Sequence, residues 1–341
     1  MNTAIQDAYQ KRPRLLLIVG YGLACICLVW VLHDFHIMQA LRQIANVSWK
    51  WVVLGMACDI LSYGIQALRW KFLLAPFGKV RLSRSIRAVY SGLFANLVFP
   101  LRPGEVLRSY LLSNSEDITI GRILGSVGVE RFVDLVIATA ALAVVSLFVE
   151  LPRRFQRVAD TLAIVTLVLL TIVALVILYL EIKLGSNPAP DGKGRRLPGK
   201  FMAVLTDLHA IGTSPSFYAA VLTSLLMPFC QVVGLWAMMR SYGLSLSLLA
   251  AVVVLLIINL GVSLPNAPAN VGSYQFFCVL GLGIFDVEKT SATGFSIFAF
   301  LALTLPLAFL GFAALLRSGM SLRSMREKVK GLPRKAAIPT A

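Results

Sequence analysis

Seven apolar segments dominate the chain, and each is long enough to cross a membrane as a helix. A helix needs about 20 apolar residues to span a hydrocarbon core of roughly 30 Å. Of the 341 residues, 58% are hydrophobic and 14% are charged, whereas soluble domains carry about a quarter charged residues. The sequence therefore predicts an all-α polytopic membrane protein with seven or eight transmembrane helices, and it excludes a soluble globular enzyme. The predicted spans are 15–33, 51–73, 131–149, 159–181, 217–240, 245–264 and 291–316.

The basic residues are concentrated at the ends of the chain and in two gaps between apolar segments. Four segments contain 21 of the 32 basic residues but 4 of the 16 acidic ones: 1–14, 69–87, 181–200 and 317–341. A nucleic-acid-binding face would need a continuous basic surface, so we predict no nucleic acid partner. Basic residues accumulate in the short cytoplasmic loops of membrane proteins. We therefore expect a multi-pass protein of the cytoplasmic (inner) membrane, with both termini in the cytoplasm.

Proline and glycine interrupt two of the apolar stretches. The first stretch, 88–100, meets a break near 100–104, and the second, 245–264, meets a break near 265–272. Proline removes a backbone donor and stops a helix, and non-helical backbone at membrane depth persists only where protein buries it or water reaches it. Each break predicts an interrupted or re-entrant helix hairpin. The alternatives are two kinked helices in a structural bundle and, for the second break, two full crossings. Hairpins that enter from opposite faces are typical of an inverted-repeat transporter.

The chain divides at a polar linker that is rich in proline and glycine. We predict an N-terminal membrane half over 1–181, a cytoplasmic linker over 182–200, a C-terminal membrane half over 201–316 and a basic cytoplasmic tail over 317–341. Each half then contains one of the two helix breaks.

Polar and charged residues cluster around the first break. We predict that Asn96, Arg102, Gly104, Glu105 and Arg108 bind an anionic headgroup. A helix that restarts at the break would present free N–H groups, which attract anions. Glu105 and Arg108 are three residues apart, so they share a helix face and are able to pair.

A second group of charges, Glu130, Arg131 and Asp134, lies in the following long apolar helix. Charges inside a bilayer are costly and are normally paired or functional. We predict that these residues support the arginines of the headgroup site; the alternative is a closed network that only pins the hairpin to the bundle. Asp59 and Arg69 in the second span are further candidate lining residues, with snorkelling as the alternative for Arg69.

The second break has no charged residue. It contains Pro265, Pro268, Gly272 and Gln275, which we predict form a polar gate or path. The alternative is a simple proline and glycine bend that is capped by side-chain amides.

Signatures of enzyme chemistry are missing from the sequence. His33 and His36 have no third metal ligand nearby, and no serine nucleophile elbow is present. We therefore predict no catalytic residue, no metal site and no cofactor.

Both breaks carry motifs that resemble a known family. The motifs are Asn96-x3-Pro100-x-Arg102-x-Gly104-Glu105-x2-Arg108, then Glu130-Arg131, then Pro265-x2-Pro268-x3-Gly272. They are similar to the flippase-like family, also called the lysylphosphatidylglycerol synthase transmembrane region, which includes other bacterial inner-membrane proteins. In that family the second motif usually has a glycine and a glutamate where this chain has Ala269 and Gln275. The departure weakens the case for a proton- or cation-coupled role at position 275.

The resemblance implies translocation of a lipid or lipid-linked headgroup between leaflets. The expected partner is a membrane phospholipid or a polyprenyl-phosphate-linked substrate. Members that synthesise aminoacyl lipids carry a large soluble domain after the membrane part, whereas only the tail 317–341 follows the last span here. We therefore expect no synthase activity.

Two other functions remain open at this point. One is a non-transporting membrane scaffold or accessory subunit of a lipid or glycan synthesis complex. The other is an intramembrane enzyme that acts on lipid phosphates with Glu105 or Glu130 as the base. A homo-oligomer or a partner protein from lipid synthesis is compatible with the sequence.

Overall fold

The computed structural model describes residues 3–100, 102–149, 152–185, 207, 210–263 and 267–318. These residues form helices and short connections and contain no β-strand, so the predicted all-α fold is confirmed. The helices are α1 (Thr3–Leu32), α2 (Ile37–Ala45), α3 (Trp49–Leu74), α4 (Leu82–Val98), α5 (Gly104–Ser115), α6 (Ile120–Ser146), α7 (Arg153–Gly185), α8 (Pro215–Ser241), α9 (Leu248–Val262), α10 (Ser273–Gly283) and α11 (Lys289–Arg317).

Three helices of the described residues are long and apolar enough to cross a membrane. They are α3 with its 3-10 extension to Phe77, α8 and α11, which agree with the predicted spans 51–73, 217–240 and 291–316. A fourth span arises if Ile18–Leu32 and α2, which meet at an angle of 82°, form one bent element. Helix α6 has 27 residues, but charged side chains interrupt its apolar surface. The total of seven or eight crossings stays a prediction.

Helices α3 and α8 pack closely along each other. A Cβ atom added at Gly55 would lie 2.9 Å from the carbonyl oxygen of Gly234. Small residues at such positions let two membrane helices approach closely enough for extensive van der Waals contact. These two helices have the most extensive contact of any helix pair among the described residues, and α11 packs against both α3 and α4.

The first break lies between two antiparallel helices, α4 and α5. Arg84 near the start of α4 pairs with Glu116 just after α5, and Gly92 in the middle of α4 contacts Gly104 at the start of α5. The chain therefore reverses direction between the end of α4 at Val98 and the start of α5 at Gly104. A helix, a break and a second, antiparallel helix are therefore present here, whereas the re-entrant insertion of this hairpin into the membrane stays a prediction.

The second break has the same arrangement with α9 and α10. Gly261 contacts Phe277 and Val254 contacts Gly281, so these helices also run antiparallel. Helix α9 has 15 residues and is about 22 Å long at 1.5 Å per residue, which is shorter than a hydrocarbon core. Whether the two hairpins enter from opposite faces stays a prediction, as do the boundaries of the two halves. Residues 186–200 of the linker and 319–341 of the tail lie outside the described residues.

Because α4 packs closely against α5, we expect one methyl group added at Gly92 to lower the stability of the protein. In the Gly92→Ala variant the new Cβ would lie 2.7 Å from the carbonyl oxygen of Gly104, which is backbone and cannot move aside. We expect a loss of about 1–3 kcal/mol, as overpacking normally costs, measured as a lower thermal midpoint in detergent. Gly125→Ala on α6 is the control, because its Cβ would meet nothing within 4 Å. Equal midpoints for the two variants would contradict the packing.

Candidate functional site

The carboxylate of Glu130 is fully buried and joins three helices. It accepts hydrogen bonds from Gln66 Nε2 at 2.7 Å and from Arg108 Nη2 at 2.9 Å. It also forms an ion pair with Arg69 Nη2 at 2.7 Å. These partners belong to α3 and α5, and Glu130 belongs to α6. We call Glu130, Arg69 and Arg108 the buried ion network.

Each arginine of this network contacts a second side chain besides Glu130. Arg69 is 1% exposed and also binds Asp134 through two hydrogen bonds, at 2.5 Å and 3.3 Å. Snorkelling of Arg69 is therefore wrong, because two carboxylates hold its guanidinium inside the bundle. Arg108 is 3% exposed, and its guanidinium stacks 4.7 Å from the centre of the Trp70 ring. The charges of the network are paired within the protein, although the buried Nε atoms of Arg69 and Arg108 have no hydrogen-bond partner among the described residues. Burial of Arg108 leaves it little access to a ligand.

A more exposed group of charges lies beside the buried network. Arg131 is ion-paired with Glu105 and lies 3.5 Å from Asp134. The side chain of Arg131 is 52% exposed and that of Glu105 is 37% exposed. The predicted pair between Glu105 and Arg108 is wrong, since Arg108 turns toward Glu130. Arg108 is buried, so its charge has lost its hydration and requires a well-placed opposite charge in the interior. Glu130 is buried beside it, whereas Glu105 is partly exposed.

The two helix breaks meet through Arg102 and Asn270. The guanidinium of Arg102 donates to Asn270 Oδ1 from Nη2 at 2.9 Å and from Nε at 3.3 Å. Arg102 has φ 51°, and Ala269 and Asn270 have φ 56° and 58°. Left-handed backbone is unfavourable for residues other than glycine and typically persists at functional sites. The first break thus supplies the charge that the second break lacks.

Asn96 and Gly104 fix the geometry of the first break. The N–H of Gly104 donates to Asn96 Oδ1 at 2.7 Å, so Asn96 satisfies one of the free donors at the start of α5. This contact holds the hairpin closed. Binding of a headgroup by Asn96 and Gly104 stays a prediction.

Gly272 and Gln275 fix the second break. Gly272 has φ 87°, and a Cβ there would lie 2.5 Å from the carbonyl oxygen of Ala24 on α1, so both its conformation and its contact require glycine. Its N–H donates to Gln275 Oε1 at 2.8 Å. Gln275 therefore caps the start of α10. This capping agrees with the alternative to a polar gate, a proline and glycine bend that is capped by side-chain amides. Pro268 begins a one-turn 3-10 helix, and Pro265 lies outside the described residues.

Arg102 carries the unbalanced charge of this region. Seven charged residues lie around the first break, of which four are positive and three negative: Arg69, Arg102, Arg108 and Arg131 with Glu105, Glu130 and Asp134. Within the described part of the chain the other six all form ion pairs with one another. Arg102 forms none there and binds a neutral amide instead. One positive charge is therefore available to a ligand.

Sequence reasoning missed two residues that support the network. Gln66 binds Glu130, and Trp70 donates to Ser126 at 3.0 Å while it stacks on Arg108. Their spacing was a usable signal, because residues four apart on an apolar helix share one face. No group of three or more metal-ligating side chains occurs among the residues that the structure describes.

Comparison with known protein families shows to which family this chain belongs. The family described as "Lysylphosphatidylglycerol synthase TM region" matches residues 17–311, which include both breaks and the buried ion network. The chain belongs to this family. The match confirms the family that the sequence resembles and, with the apolar helices, makes the chain a multi-pass membrane protein of the lysylphosphatidylglycerol synthase transmembrane family. A search of curated proteins found no match.

The buried ion network predicts that Glu130 is essential for stability. Glu130→Gln would leave the guanidinium groups of Arg69 and Arg108 without their shared charge, and breaking a buried pair costs about 3–5 kcal/mol. We expect a much lower thermal midpoint in detergent. Glu105→Gln is the matched control, because its pair is partly exposed and such pairs contribute about 0–1 kcal/mol. A larger effect of Glu105→Gln than of Glu130→Gln would contradict this assignment.

Proposed function

We propose that this protein translocates a lipid or lipid-linked headgroup between the leaflets of the cytoplasmic membrane. One observation carries the proposal: Arg102, which has no ion pair among the described residues, lies where the two helix breaks meet. An unneutralised arginine is expensive in a membrane unless a ligand uses it. Phosphate is, with carboxylate, one of the two ligand classes that a guanidinium binds through two parallel hydrogen bonds.

The phosphate of a phospholipid or polyprenyl carrier would bind Arg102, with Arg131 as a second cation nearby. Arg131 is half-exposed, and its pair with Glu105 keeps it on the same side of α6 as the break. Arg108 acts indirectly in this scheme, because its charge is already used by Glu130. The buried ion network then positions α5, and α5 positions Arg102.

Movement of the substrate would use the breaks themselves. Non-helical backbone at membrane depth is tolerated where it lines a cavity, and paired interrupted helices are a feature of transporters. In this scheme seven or eight spans enclose two hairpins that enter from opposite faces, and both termini lie in the cytoplasm. The protein would act without catalytic chemistry and without a cofactor.

A second candidate function is a scaffold or accessory subunit of a lipid or glycan synthesis complex. The pairing of Arg69, Arg108 and Arg131 with carboxylates favours it, since the charges of these three arginines are already neutralised within the protein. Arg102 argues against it, because this arginine is exposed and its charge has no ion pair among the described residues, which suits it to bind a ligand. Co-purification of a stoichiometric partner, together with no lipid movement by the isolated protein, would favour the scaffold.

Removal of the accessible arginines should slow transport without unfolding the protein. In proteoliposomes we expect Arg102→Gln and Arg131→Gln to lower the rate of movement of an anionic fluorescent phospholipid by about tenfold or more. A hydrogen bond to a charged group contributes about 1.5–3 kcal/mol, and 1.4 kcal/mol corresponds to about tenfold. The readout is the fraction of probe that becomes accessible to a membrane-impermeant quencher with time.

Arg122→Gln provides the control on the same helix as Arg131. Its side chain is 47% exposed and pairs with Asp207 rather than with a residue of either break. The transport rate should therefore stay within about twofold of wild type, the size expected for an exposed pair. Normal transport by a stably inserted Arg102→Gln variant would contradict the proposed function.

A further inference from the structure

Helix α2 is short and strongly amphipathic, and it lies almost perpendicular to the helix before it. Its axis makes an angle of 82° with the segment Ile18–Leu32 of α1. The chain turns at residues 33–36, where the side chains of His33 and Asp34 are exposed. Two geometries are compatible with this bend. Either α2 continues a bent crossing of the membrane, or it lies along the membrane surface.

One face of α2 is fixed to the rest of the protein. Ala40 is buried, and a Cβ atom added at Gly294 of α11 would lie 2.9 Å from the Cβ atom of Ala40. Gln43 Nε2 donates to Ser291 Oγ at 2.7 Å, and Ile44 packs against a buried hydrophobic core. This face therefore holds α2 against the start of α11.

A second face of α2 is apolar and exposed. Ile37, Met38 and Leu41 are 63%, 62% and 52% exposed among the described residues. Successive residues of a helix are turned by about 100°, so these three side chains fall within an arc of about 100°. Neighbouring exposed apolar side chains mark a surface that contacts a partner or a membrane.

Polar side chains occupy the third face of α2. Arg42 is exposed, and the exposed Gln39 donates from Nε2 to Glu288 Oε2 at 2.8 Å. Around the helix axis the order is therefore protein, apolar, polar. A helix that lies on the membrane surface at the edge of a bundle requires this order, because one side contacts the protein, one contacts the acyl chains and one contacts water.

The candidate spans place α2 at one boundary of the membrane. Helices α3 and α11 begin, and α8 ends, at the same end of the bundle: the N–H of Ser48 donates to the carbonyl oxygen of Ser241 at 3.1 Å. The hydrogen bonds of α2 reach Glu288 and Ser291 at the start of α11. Helix α2 therefore lies where three spans begin or end. A bent crossing would instead bring its polar face into the hydrocarbon core, which is unfavourable.

Exposed tryptophans next to α2 indicate the same boundary. Trp30 in the last turn of α1 is exposed, and the centre of its ring lies 4.7 Å from Lys289 Nζ. Trp49, the first residue of α3, is also exposed. Tryptophan is enriched where a membrane meets water, and the long side chain of lysine extends toward the headgroups there.

We propose that α2 binds the surface of the bilayer, with Ile37, Met38 and Leu41 inserted between the phospholipid headgroups. Lipid is the partner because this face continues into α3, a candidate span whose exposed apolar residues include Val53 and Leu61. The contacts of α2 with α11 then fix the depth at which α11 enters the membrane. This inference does not depend on the proposed function, because it uses no residue of either helix break.

The test measures the depth of a fluorescent side chain in proteoliposomes of the full chain. An environment-sensitive fluorescent amino acid replaces Leu41, Arg42 or Leu301 in separate preparations. All three side chains are exposed, so the probe should not disturb the packing. Leu301 is the reference for the bilayer centre, because it follows the start of α11 at Lys289 by 12 residues, about 18 Å along the helix axis.

Quenching by nitroxides at two depths of the acyl chain, and by iodide in the water, reports the position of each probe. An interfacial helix inserts its apolar face about 5–10 Å into the boundary between headgroups and acyl chains. We therefore expect the probe at position 41 to be quenched more by the nitroxide near the headgroup than by the one near the chain end. The probe at position 301 should show the reverse, and the probe at position 42 should be quenched by iodide more than the probe at position 41.

Three results would overturn the proposal. A probe at position 41 that responds mainly to the deep nitroxide shows a bent crossing, and one that responds only to iodide shows a face in water. A probe that responds to no quencher shows that a second copy of the chain or another protein segment covers the face. Met38 on the same face provides the same test if a probe at position 41 prevents stable insertion.

Discussion

The structure depends on one buried carboxylate that two arginines share. Glu130 joins α3, α5 and α6 through Arg69, Arg108 and Gln66. Buried ions lose their hydration, so such a network is stable only when every charge has well-placed partners. Each of these helices must therefore keep its register relative to the other two. The position of α5 in turn fixes the break that precedes it, and with that break the position of Arg102.

The meeting of the two breaks gives the bundle its candidate transport site. Each hairpin is closed by an internal contact, Asn96 to Gly104 in the first and Gln275 to Gly272 in the second. The contact between the hairpins is a hydrogen bond from Arg102 to a neutral side chain, which is weaker than a hydrogen bond between two charged groups. A phosphate is a better acceptor than an amide, so a headgroup would compete with Asn270 for this arginine. We therefore expect a bound headgroup to separate the two breaks by replacing Asn270 as the partner of Arg102.

Hydropathy and charge density predicted much of this architecture from the sequence. The span predicted over 51–73 became Trp49–Phe77, and both breaks were found because proline and glycine disrupt helices in a recognisable way. Glu130 and Asp134 stood out as charges in an apolar helix. Their partners could not be predicted in the same way. Helical spacing favours a pair between Glu105 and Arg108, whereas in the structure Arg108 is buried and pairs with Glu130. The contact of Arg102 with Asn270 joins residues 168 positions apart, and no periodicity encodes it.

The central claim is that a lipid headgroup passes the point where the breaks meet. Photocrosslinking with a phospholipid that carries a diazirine in its headgroup, followed by peptide mapping, measures this directly. The account predicts labelled peptides from both breaks, around Arg102 and around Asn270, and loss of this labelling in the Arg102→Gln variant. Labelling confined to lipid-facing helices, or labelling of the breaks that persists in Arg102→Gln, would contradict it.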